Sequence, residues 1–405
     1  MGMDDKTFYS QLMGVETPWK VASVDLLVNE KRVEIRVECE QEVWADELGR
    51  RMHIHGYQQR TWRHLDTCQC QTLIIARVPR LKDEDAKTQL IPVPWAEKNS
   101  RFTEMFEGFA IRVLKASASV SAACKLLGIS WDEADAIMKR AVERGMARRK
   151  PEVIHYIGLD EKSFLRGHQY VSVMSDIQGK RVLDVAFDRN TDACNELWDK
   201  LTAEQREGVE AVAMDMWEPY RKSTEQRVPQ GAIVHDKFHI SKHLNEGVDQ
   251  IRRQEHKELM KEGDERLKGT KYSWLKDHKE MSRNESREFR SLKNEALKVS
   301  RAWSIKELFR EIWHKKTEGG MRRFFKKWYG WASRCQLKPL IKKARMIRDH
   351  LERVVTYATH PISNAMAEAL NAQIQTLVTN ARGFRNKESF RARILFFCGN
   401  LNLAP

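Results

Sequence analysis

The chain has 405 residues, 41% hydrophobic and 32% charged, which is typical of a folded protein with two or three domains. Lysine and arginine exceed aspartate and glutamate by 71 to 57, and this net charge of +14 favours a polyanionic partner such as nucleic acid over a merely solubilising surface or an acidic-lipid contact. No run approaches ~20 apolar residues, which excludes a membrane-spanning helix. There is no signal-peptide pattern and the seven cysteines follow no framework spacing, which excludes a disulfide-stabilised secreted protein. A cytoplasmic location is therefore expected.

The first part of the chain alternates short β-like runs with turns. Apolar residues alternate with polar ones over residues 33–37, and residues 73–78 form a second apolar run. Two closely spaced prolines, Pro92 and Pro94, then end regular structure. We therefore predict a small β-rich N-terminal domain over residues 1–98.

Residues 99–150 change to helical spacing, with apolar faces over residues 106–114, 120–127 and 134–142. A short glycine turn separates the second face from the third, and Ser130 with Glu133 forms a capping box that starts the third helix. Two helices joined in this way indicate a helix-turn-helix. The residues expected on the DNA-facing side of the third helix are Trp131, Asp135, Lys139 and Arg140. A protein-docking module is the alternative interpretation.

From residue 151 the pattern becomes α/β. Residues 153–159 read as a strand that ends at Asp160, and residues 209–214 as a strand that ends at Asp215. The remaining predicted elements are strands over 170–174, 182–187 and 232–234 and helices over 193–201 and 220–226. Three hairpin-linked strands followed by two strands that are each preceded by a helix form the RNase H-like order.

The predicted fold class is therefore multidomain α/β, with an RNase H-like catalytic core that a helical insertion interrupts. The first part of the core covers residues 151–240, the insertion 241–355, and the last part 356–405. The insertion is highly charged and is punctuated by five tryptophans, at positions 274, 303, 313, 328 and 331.

Three carboxylates stand where chemistry is expected. Asp160 and Asp215 follow strands whose carboxyl ends meet at one edge of the sheet, where open α/β sheets bind ligands. Two carboxylates side by side repel each other unless cations lie between them, and a pair of Mg²⁺ ions meets that need. Glu368 lies on a helix after the insertion and shares its polar face with Asn364, Asn371 and Gln375. The competing interpretation is that aspartates often end strands because they suit turns.

The order of these acids within four sequence blocks resembles the bacterial insertion-sequence transposases of the ISL3 family. The blocks are residues 157–164 with 168–170, residues 214–220, residues 234–240, and residues 363–371 with 382–386. The similarity extends from about residue 90 to residue 405. One departure is Ala369, because glycine commonly follows the glutamate in that family.

The resemblance implies that Asp160, Asp215 and Glu368 are the catalytic and metal-binding DDE trio. Asp160 would bridge two Mg²⁺ ions, for which Mn²⁺ is an alternative, while Asp215 and Glu368 each hold one. Asp236 and His239 match an Asp-x-x-His motif of related transposases and receive a supporting role, although His239 also reads as a structural histidine. Four arginines are expected to clamp DNA backbone near the site, namely Arg382, Arg385, Arg391 and Arg393.

The implied function is that of an insertion-sequence transposase, which binds terminal inverted repeats and performs Mg²⁺-dependent strand cleavage and strand transfer. Its partners would be double-stranded DNA (the element ends and the target) and a second copy of the chain, in a homodimer or larger assembly, with no membrane. End recognition is expected to depend on residues 1–148 and to survive deletion of residues 363–405. The rival functions are a catalytically silent, transposase-derived DNA-binding regulator and a metal-dependent nuclease.

Members of the family usually begin with a cysteine-rich zinc domain, whose ligands are incomplete here. Cys39 lacks a close partner, and residues 78–83 contain no thiol or imidazole. A metal-free, degenerate zinc-ribbon-like domain is therefore expected, with residues 33–37 packed against Leu73 and Ile75 and with Trp44 and Trp62 in the core. The alternative is a rearranged zinc site drawn from Cys68, Cys70, His53, His55 and His64.

Overall fold

The computed structural model describes residues 4–45, 51–82, 88–165, 169–276, 281–295, 297–362, 365–381, 384 and 386–405. The chain forms two compact units, one of residues 1–149 together with 401–405 and one of residues 150–400. In the described parts of the chain, no helix combines the length and the apolar character that crossing a membrane requires.

The N-terminal unit begins with a helix and a six-stranded sheet. The elements are α1 (Asp5–Met13), β1 (Trp19–Leu27), β2 (Arg32–Cys39), β3 (Trp44–Ala45), β4 (Arg51–Arg63), β5 (Gln71–Lys82) and β6 (Thr88–Leu90). The strand order is β1-β2-β5-β4-β3, and β6 pairs with β5. Only β2 and β5 run parallel among these paired strands. The β-rich pattern thus folds as expected, whereas α1 was not anticipated.

The face of β5 that packs in the core is opposite to the predicted one. Val33, Ile35 and Val37 are buried on β2, as expected. Ile35 pairs with Ile74, and it is Ile74 and its alternate neighbours that are buried. Leu73 and Ile75 are only half-buried. The run from 73 to 78 is apolar on both faces at its start, so alternation alone did not indicate the inner face. Trp62 is fully buried and Trp44 packs at the edge of the cluster.

Three helices follow, α2 (Glu104–Ala116), α3 (Val120–Leu127) and α4 (Trp131–Ala147). The capping box of Ser130 and Glu133 is present, and Gly128 ends α3 with a φ of 62°, a left-handed conformation that glycine adopts without strain. The end of the chain belongs to the same unit. Leu401 and Leu403 are buried, and the Arg144 guanidinium donates to the Leu403 carbonyl at 3.3 Å.

The second unit contains a five-stranded mixed sheet. Its elements are β7 (Tyr156–Leu165), β8 (Gln169–Asp176), β9 (Arg181–Phe187), α5 (Thr191–Asp199), α6 (Ala203–Glu207), β10 (Ala211–Met214), α7 (Glu218–Arg227) and β11 (Ala232–His235). The order is β11-β10-β7-β8-β9, with β11, β10 and β7 parallel and β8 and β9 antiparallel. The predicted succession of strands and helices is present.

The end of the strand that carries Asp160 was predicted wrongly. Asp160 does not end β7 but lies inside it, opposite Val173 of β8. The pairing of β7 with β10 stops at Gly158, while the pairing with β8 continues to Leu165. Asp160 therefore follows the end of the parallel ladder without following the end of the strand.

A helical block follows the sheet. It comprises α8 (Lys237–Lys261), α9 (Lys271–Leu275), α10 (Arg283–Lys293), α11 (Lys298–Phe309), α12 (Glu318–Ala332), α13 (Lys338–Asp349) and α14 (Leu351–Val355). The block has its own apolar core, in which Trp274, Trp303 and Trp328 are buried. Trp331 is 40% exposed. The chain then returns to the sheet through α15 (Ala365–Asn380), which contacts β7, and α16 (Lys387–Cys398), which contacts β9.

Candidate active site

Three aspartates lie level with one another across three adjacent parallel strands. Ala213 of β10 pairs with Gly158 of β7, and the amide of Asp236 donates to the Met214 carbonyl at 3.0 Å. Continuing both registers places Asp215 level with Asp160 on one side and with Asp236 on the other. Since neighbouring strands lie about 4.8 Å apart, the three acids form a row at the carboxyl edge of the sheet.

The side chains of this row are on the face that α15 covers. Leu159 and Met214 belong to the apolar cluster on the opposite face, with Trp198 and Tyr220. Successive side chains of a strand alternate between faces, so Asp160 points away from that cluster. The Asn371 amide of α15 donates to Asp160 Oδ2 at 2.8 Å.

Burial raises the pKa of both central acids. It raises the pKa of Asp160 to about 6, and the neighbouring charge of Asp215 acts in the same direction. Burial also raises the pKa of Asp215. Main-chain donors oppose this, since the Glu161 amide donates to Asp160 Oδ1 at 2.8 Å and the Trp217 amide to Asp215 Oδ1 at 2.9 Å. The two carboxylates thus carry a charge that the protein itself compensates incompletely.

His239, in the first turn of α8, is a neighbour that these acids share. Its charge lowers the pKa of Asp160 and of Asp215, and it acts in the same way on Glu161 and Glu368. His239, which the Asp-x-x-His motif assigns a supporting role, thus lies near these acids.

Asp236 has a structural task at the same point. It is 1% exposed and caps α8, with Oδ1 accepting from the Phe238 amide at 3.3 Å. The cap fixes the start of the helix that carries His239.

Glu368 lies on the exposed side of α15. Partial desolvation raises its pKa, as does the charge of Asp236, while His239 lowers it. The structure thus brings Asp160 and Asp215 together and places Glu368 beside Asp236 and His239. Among the described side chains, no three of the His, Cys, Asp and Glu type converge enough to hold one metal ion. The donor chemistry still fits a divalent cation, because the row offers adjacent carboxylate oxygens that are desolvated.

Two residues at the site were not nominated from the sequence. Asn371 was recognised only as sharing a face with Glu368, and its bond to Asp160 depends on how α15 crosses β7. Arg189 follows β9, its guanidinium lies 4.1 Å from the Tyr170 ring centroid and 4.8 Å from that of Trp217, and it forms an ion pair with Glu161 at 3.4 Å. No local pattern marks Arg189, because its neighbours come from three separate elements.

The structure corrects part of the predicted DNA-facing surface of α4. Trp131 is 41% exposed and Lys139 is partly exposed, where it pairs with Asp135 at 2.9 Å. Asp135 itself is buried. Arg140 donates through Nε to buried Glu107 at 2.9 Å and so joins α4 to α2. The expected exposure of Asp135 was therefore wrong, because the helix turns this position toward its own unit, whereas Arg140 is partly exposed and bound to Glu107.

Two of the four predicted DNA-clamping arginines contact partners within their own unit. Arg391 forms a bidentate pair with buried Asp184, both distances being 2.7 Å. Arg393 is 2% exposed and stacks over Phe384. The burial of Arg393 contradicts its assignment as a DNA contact, whereas Arg391 is only partly buried and its assignment stays a prediction. The other two predicted arginines, Arg382 and Arg385, lie outside the described residues.

A helix-turn-helix in one unit and an acid row at the carboxyl edge of an α/β sheet in the other define a DNA-processing enzyme of the DDE type. A family model described as "Transposase", of the DDE group of family ISL3, matches residues 157–394, and a helix-turn-helix model of transposase family ISL3 matches residues 91–142. The chain belongs to the ISL3 transposase family, and it is accordingly a DNA-binding enzyme that acts as a transposase.

Two curated relatives align over most of their length. The chain is 24% identical over 359 residues to the transposase for insertion sequence element IS1557 of Mycobacterium tuberculosis, covering 82% of this chain and 80% of that protein. It is 21% identical over 327 residues to the transposase for insertion sequence element IS1001 of Bordetella parapertussis, covering 79% and 80%.

Membership in a DDE family implies dependence on a divalent metal ion. In addition, a model described as the zinc-finger of transposase IS204/IS1001/IS1096/IS1165 matches residues 49–82, and this match stands against the expectation that zinc is absent. Within that range His53 and His55 are exposed, as is Cys68. His64 is buried, its Nδ1 lies 2.9 Å from the Thr103 hydroxyl, and burial lowers its pKa to about 4.

Proposed function

We propose that the chain binds the terminal inverted repeats of an insertion sequence and catalyses Mg²⁺-dependent strand cleavage and strand transfer on an RNase H-like core. Asp160, Asp215 and Glu368 are the proposed catalytic residues. The observation that carries this proposal is the level placement of Asp160 and Asp215 at the carboxyl edge of the sheet, with raised pKa values and Asn371 bonded to Asp160.

In this proposal some side chains bind the metal ions and others hold those ligands in position. The three acids would hold two Mg²⁺ ions, which supply an activated water or 3′-hydroxyl and stabilise the leaving oxygen in an in-line displacement at phosphorus. Asn371 keeps one Asp160 oxygen oriented. Asp236 fixes the start of α8, and His239 is held beside the acids in a supporting role. Glu368 and Asn371 lie on the same helix, α15. The hydrogen bond from Asn371 to Asp160 therefore also helps to hold the helix that carries Glu368 against the sheet.

The DNA partners are inferred from the charge and the helix-turn-helix. A net charge of +14 favours duplex DNA through release of counterions. The exposed first turn of α4, with Trp131, is the part of that helix best placed to meet a DNA groove. Joining two element ends to a target requires two active sites, and we therefore propose a homodimer or larger assembly on DNA.

Labelled element ends with Mg²⁺ test the proposal in one assay of binding, cleavage and strand transfer. Asp160→Asn, Asp215→Asn and Glu368→Gln should each abolish cleavage and leave end binding nearly unchanged, because each removes a charge that the metal ions need. Glu262→Gln, an exposed acid at the end of α8, is the matched control and should be fully active.

Other outcomes would redirect the proposal. If Asp215→Asn were active and Asp236→Asn inactive, the second acid would be Asp236. Cleavage without joining would identify a nuclease, and end binding without any cleavage would identify a DNA-binding regulator.

We further propose that the segment matched by the zinc-finger model, of which the structure describes residues 51–82, folds without zinc. The support is the continuous apolar core around Trp62 and Ile74, together with the hydrogen bond that engages His64. Elemental analysis should find no stoichiometric zinc, and Cys68→Ser with Cys70→Ser should leave the melting temperature unchanged with or without chelator. One zinc per chain, lost in that double variant, would show that a rearranged site has survived.

A further inference from the structure

A cleft of about 950 Å³ lies in the helical block, directly after the acid row in the chain. One wall is the first half of α8, and it begins with Lys237 and Phe238, the two residues between Asp236 and His239. The other wall combines α9 with the end of α11 and the short 3₁₀ turn that follows it. The cleft therefore adjoins the proposed active site through two consecutive residues.

The cleft is lined by four cationic and four acidic residues, and cations outside the lining neutralise three of the acids, which leaves an excess of positive charge. The cationic lining residues are Lys237, Lys242, Lys271 and Arg310. Two of the acidic lining residues are paired with cations that do not line the cleft, Glu246 with Lys343 at 2.7 Å and Asp249 with Arg252 at 2.8 Å. A third, Glu307, is paired with Lys306 from the core at 2.9 Å and with Arg310 of the lining at 3.2 Å. The fourth, Glu311, lies 3.3 Å from the ring of His314, which also lines the cleft.

Two aromatic side chains line the same cleft. Phe238 is 46% exposed although it stands beside a buried strand end, which is costly for an aromatic ring in water. Trp313 is held in place by edge contacts with Phe309 and Tyr357, at centroid distances of 6.1 and 5.2 Å, and remains only partly buried. An exposed ring and an anchored ring beside lysines form the combination that binds unpaired nucleotides, by stacking on bases and by attraction of the phosphates.

We propose that this cleft binds unpaired nucleotides of the DNA strand that enters the active site. The proposal rests on the proposed function, since it assigns a place to part of the same substrate. Unpaired DNA is favoured over duplex because bases inside a duplex are already stacked and offer no free face to Phe238. It is favoured over an acidic peptide because a peptide carboxylate would use the lysines and leave the aromatic rings without a partner.

Photo-crosslinking locates the bound strand on the full-length protein. The probe is a short oligothymidylate that carries one iodouracil, whose photoproduct attaches to a stacked aromatic side chain. Peptide mapping should find the crosslink on Phe238 or Trp313. Crosslinks confined to residues outside the cleft would overturn the proposal.

Variants then separate stacking from general charge. Phe238→Ala and the double variant Lys242→Glu with Lys271→Glu should each weaken oligothymidylate binding about tenfold, and should leave the affinity for a blunt duplex within twofold. The controls are Trp331→Ala, an exposed aromatic on α12, and Lys257→Glu, an exposed lysine further along α8. Equal losses in the controls, or displacement of the probe by polyglutamate as efficient as by unlabelled oligothymidylate, would contradict the proposal.

The result is independent of the cleavage test. Asp160→Asn should crosslink as the wild type does, because it leaves the cleft intact. If the wild type cleaves DNA but does not crosslink in the cleft, the inference fails and the proposed function stands. If it crosslinks in the cleft but never cleaves, the proposed function fails.

Discussion

At the scale of single residues, the hydrogen bond from Asn371 of α15 orients Asp160, a proposed metal ligand. Asn371 is 9% exposed and donates at 2.8 Å to a carboxylate oxygen that also belongs to the proposed metal site. Residues that orient a metal ligand typically contribute about 10–100-fold to affinity or activity. Asn371 therefore acts as a positioning residue for Asp160.

Asn371→Ala should reduce single-turnover cleavage about 10–100-fold and raise the Mg²⁺ concentration needed for half-maximal rate, with end binding unchanged. A purely structural role would lower the melting temperature without changing the Mg²⁺ midpoint. Thr376→Ala, an exposed position on the same helix, is the control and should behave as the wild type. An unaltered Mg²⁺ midpoint in Asn371→Ala would count against the positioning role.

The buried state of Asp160 also predicts a pH dependence of stability. Because the folded-state pKa, about 6, lies above the ordinary value of 3.8, the contribution of Asp160 is fully present below pH 3.8 and is lost as the pH rises through 6. In chelator, the free energy of unfolding of the wild type relative to Asp160→Asn should fall by up to about 3 kcal/mol between pH 4 and pH 7. Urea unfolding at several pH values measures this difference, and parallel curves for the two proteins would contradict it.

At the scale of elements, the helix-turn-helix is held together by a buried acid rather than by apolar packing alone. Glu107 of α2 is 1% exposed and accepts from Arg140 Nε at 2.9 Å, from Arg144 at 3.2 Å and from the Ser100 hydroxyl at 2.8 Å. Removing one partner of such a network leaves a buried charge unpaired, which is more costly than the pair itself is stabilising.

Arg140→Ala and Glu107→Ala should each destabilise the N-terminal unit by about 3 kcal/mol. Both should weaken end binding only in proportion to the unfolded fraction, as thermal melts and binding isotherms at low temperature will show. Lys125→Ala, an exposed position on α3, is the control and should retain the wild-type stability. A variant of Arg140 that melts normally but binds DNA poorly would restore Arg140 as a DNA contact.

At the scale of the whole molecule, the chain enters the N-terminal unit twice. Residues 401–405 follow the last helix of the α/β unit but pack within the first unit, where Leu401 and Leu403 are 8% and 4% exposed. A Cβ added to Gly145 would approach Leu401 Cβ to 2.7 Å, so this segment and α4 are closely packed. We therefore expect recognition of element ends to depend on the last residues, which differs from the sequence-based expectation that deletion of residues 363–405 would spare it.

Deletion of residues 401–405 should lower the stability of the N-terminal unit. Leu403→Ala should lower it by about 2–4 kcal/mol, because buried side-chain volume is lost. End binding should weaken at temperatures where the wild type still binds. Asn402→Ser replaces an exposed side chain in the same segment and is expected to be neutral. Normal melting of Leu403→Ala would show that the segment adds nothing to the unit.

The sequence alone determined the features that depend on local spacing and on order along the chain. The capping box at Ser130, the alternation of Val33 to Val37 and the succession of strands and helices around Asp160 and Asp215 depend on residues close together in the chain, and each was foreseen. Family membership was also foreseen, because it depends on motifs in a fixed order.

The tertiary structure decided which charged residues serve the fold and which remain for function. Nothing in the sequence distinguishes three of the arginines from DNA-binding arginines. In the structure, however, Arg140 is bound to Glu107, Arg391 is bound to Asp184, and Arg393 is buried. The partnership of Asn371 with Asp160 spans 211 positions. Such pairings follow from how helices cross the sheet, and the packing that sets those crossings involves residues too far apart in the chain for any local pattern to report.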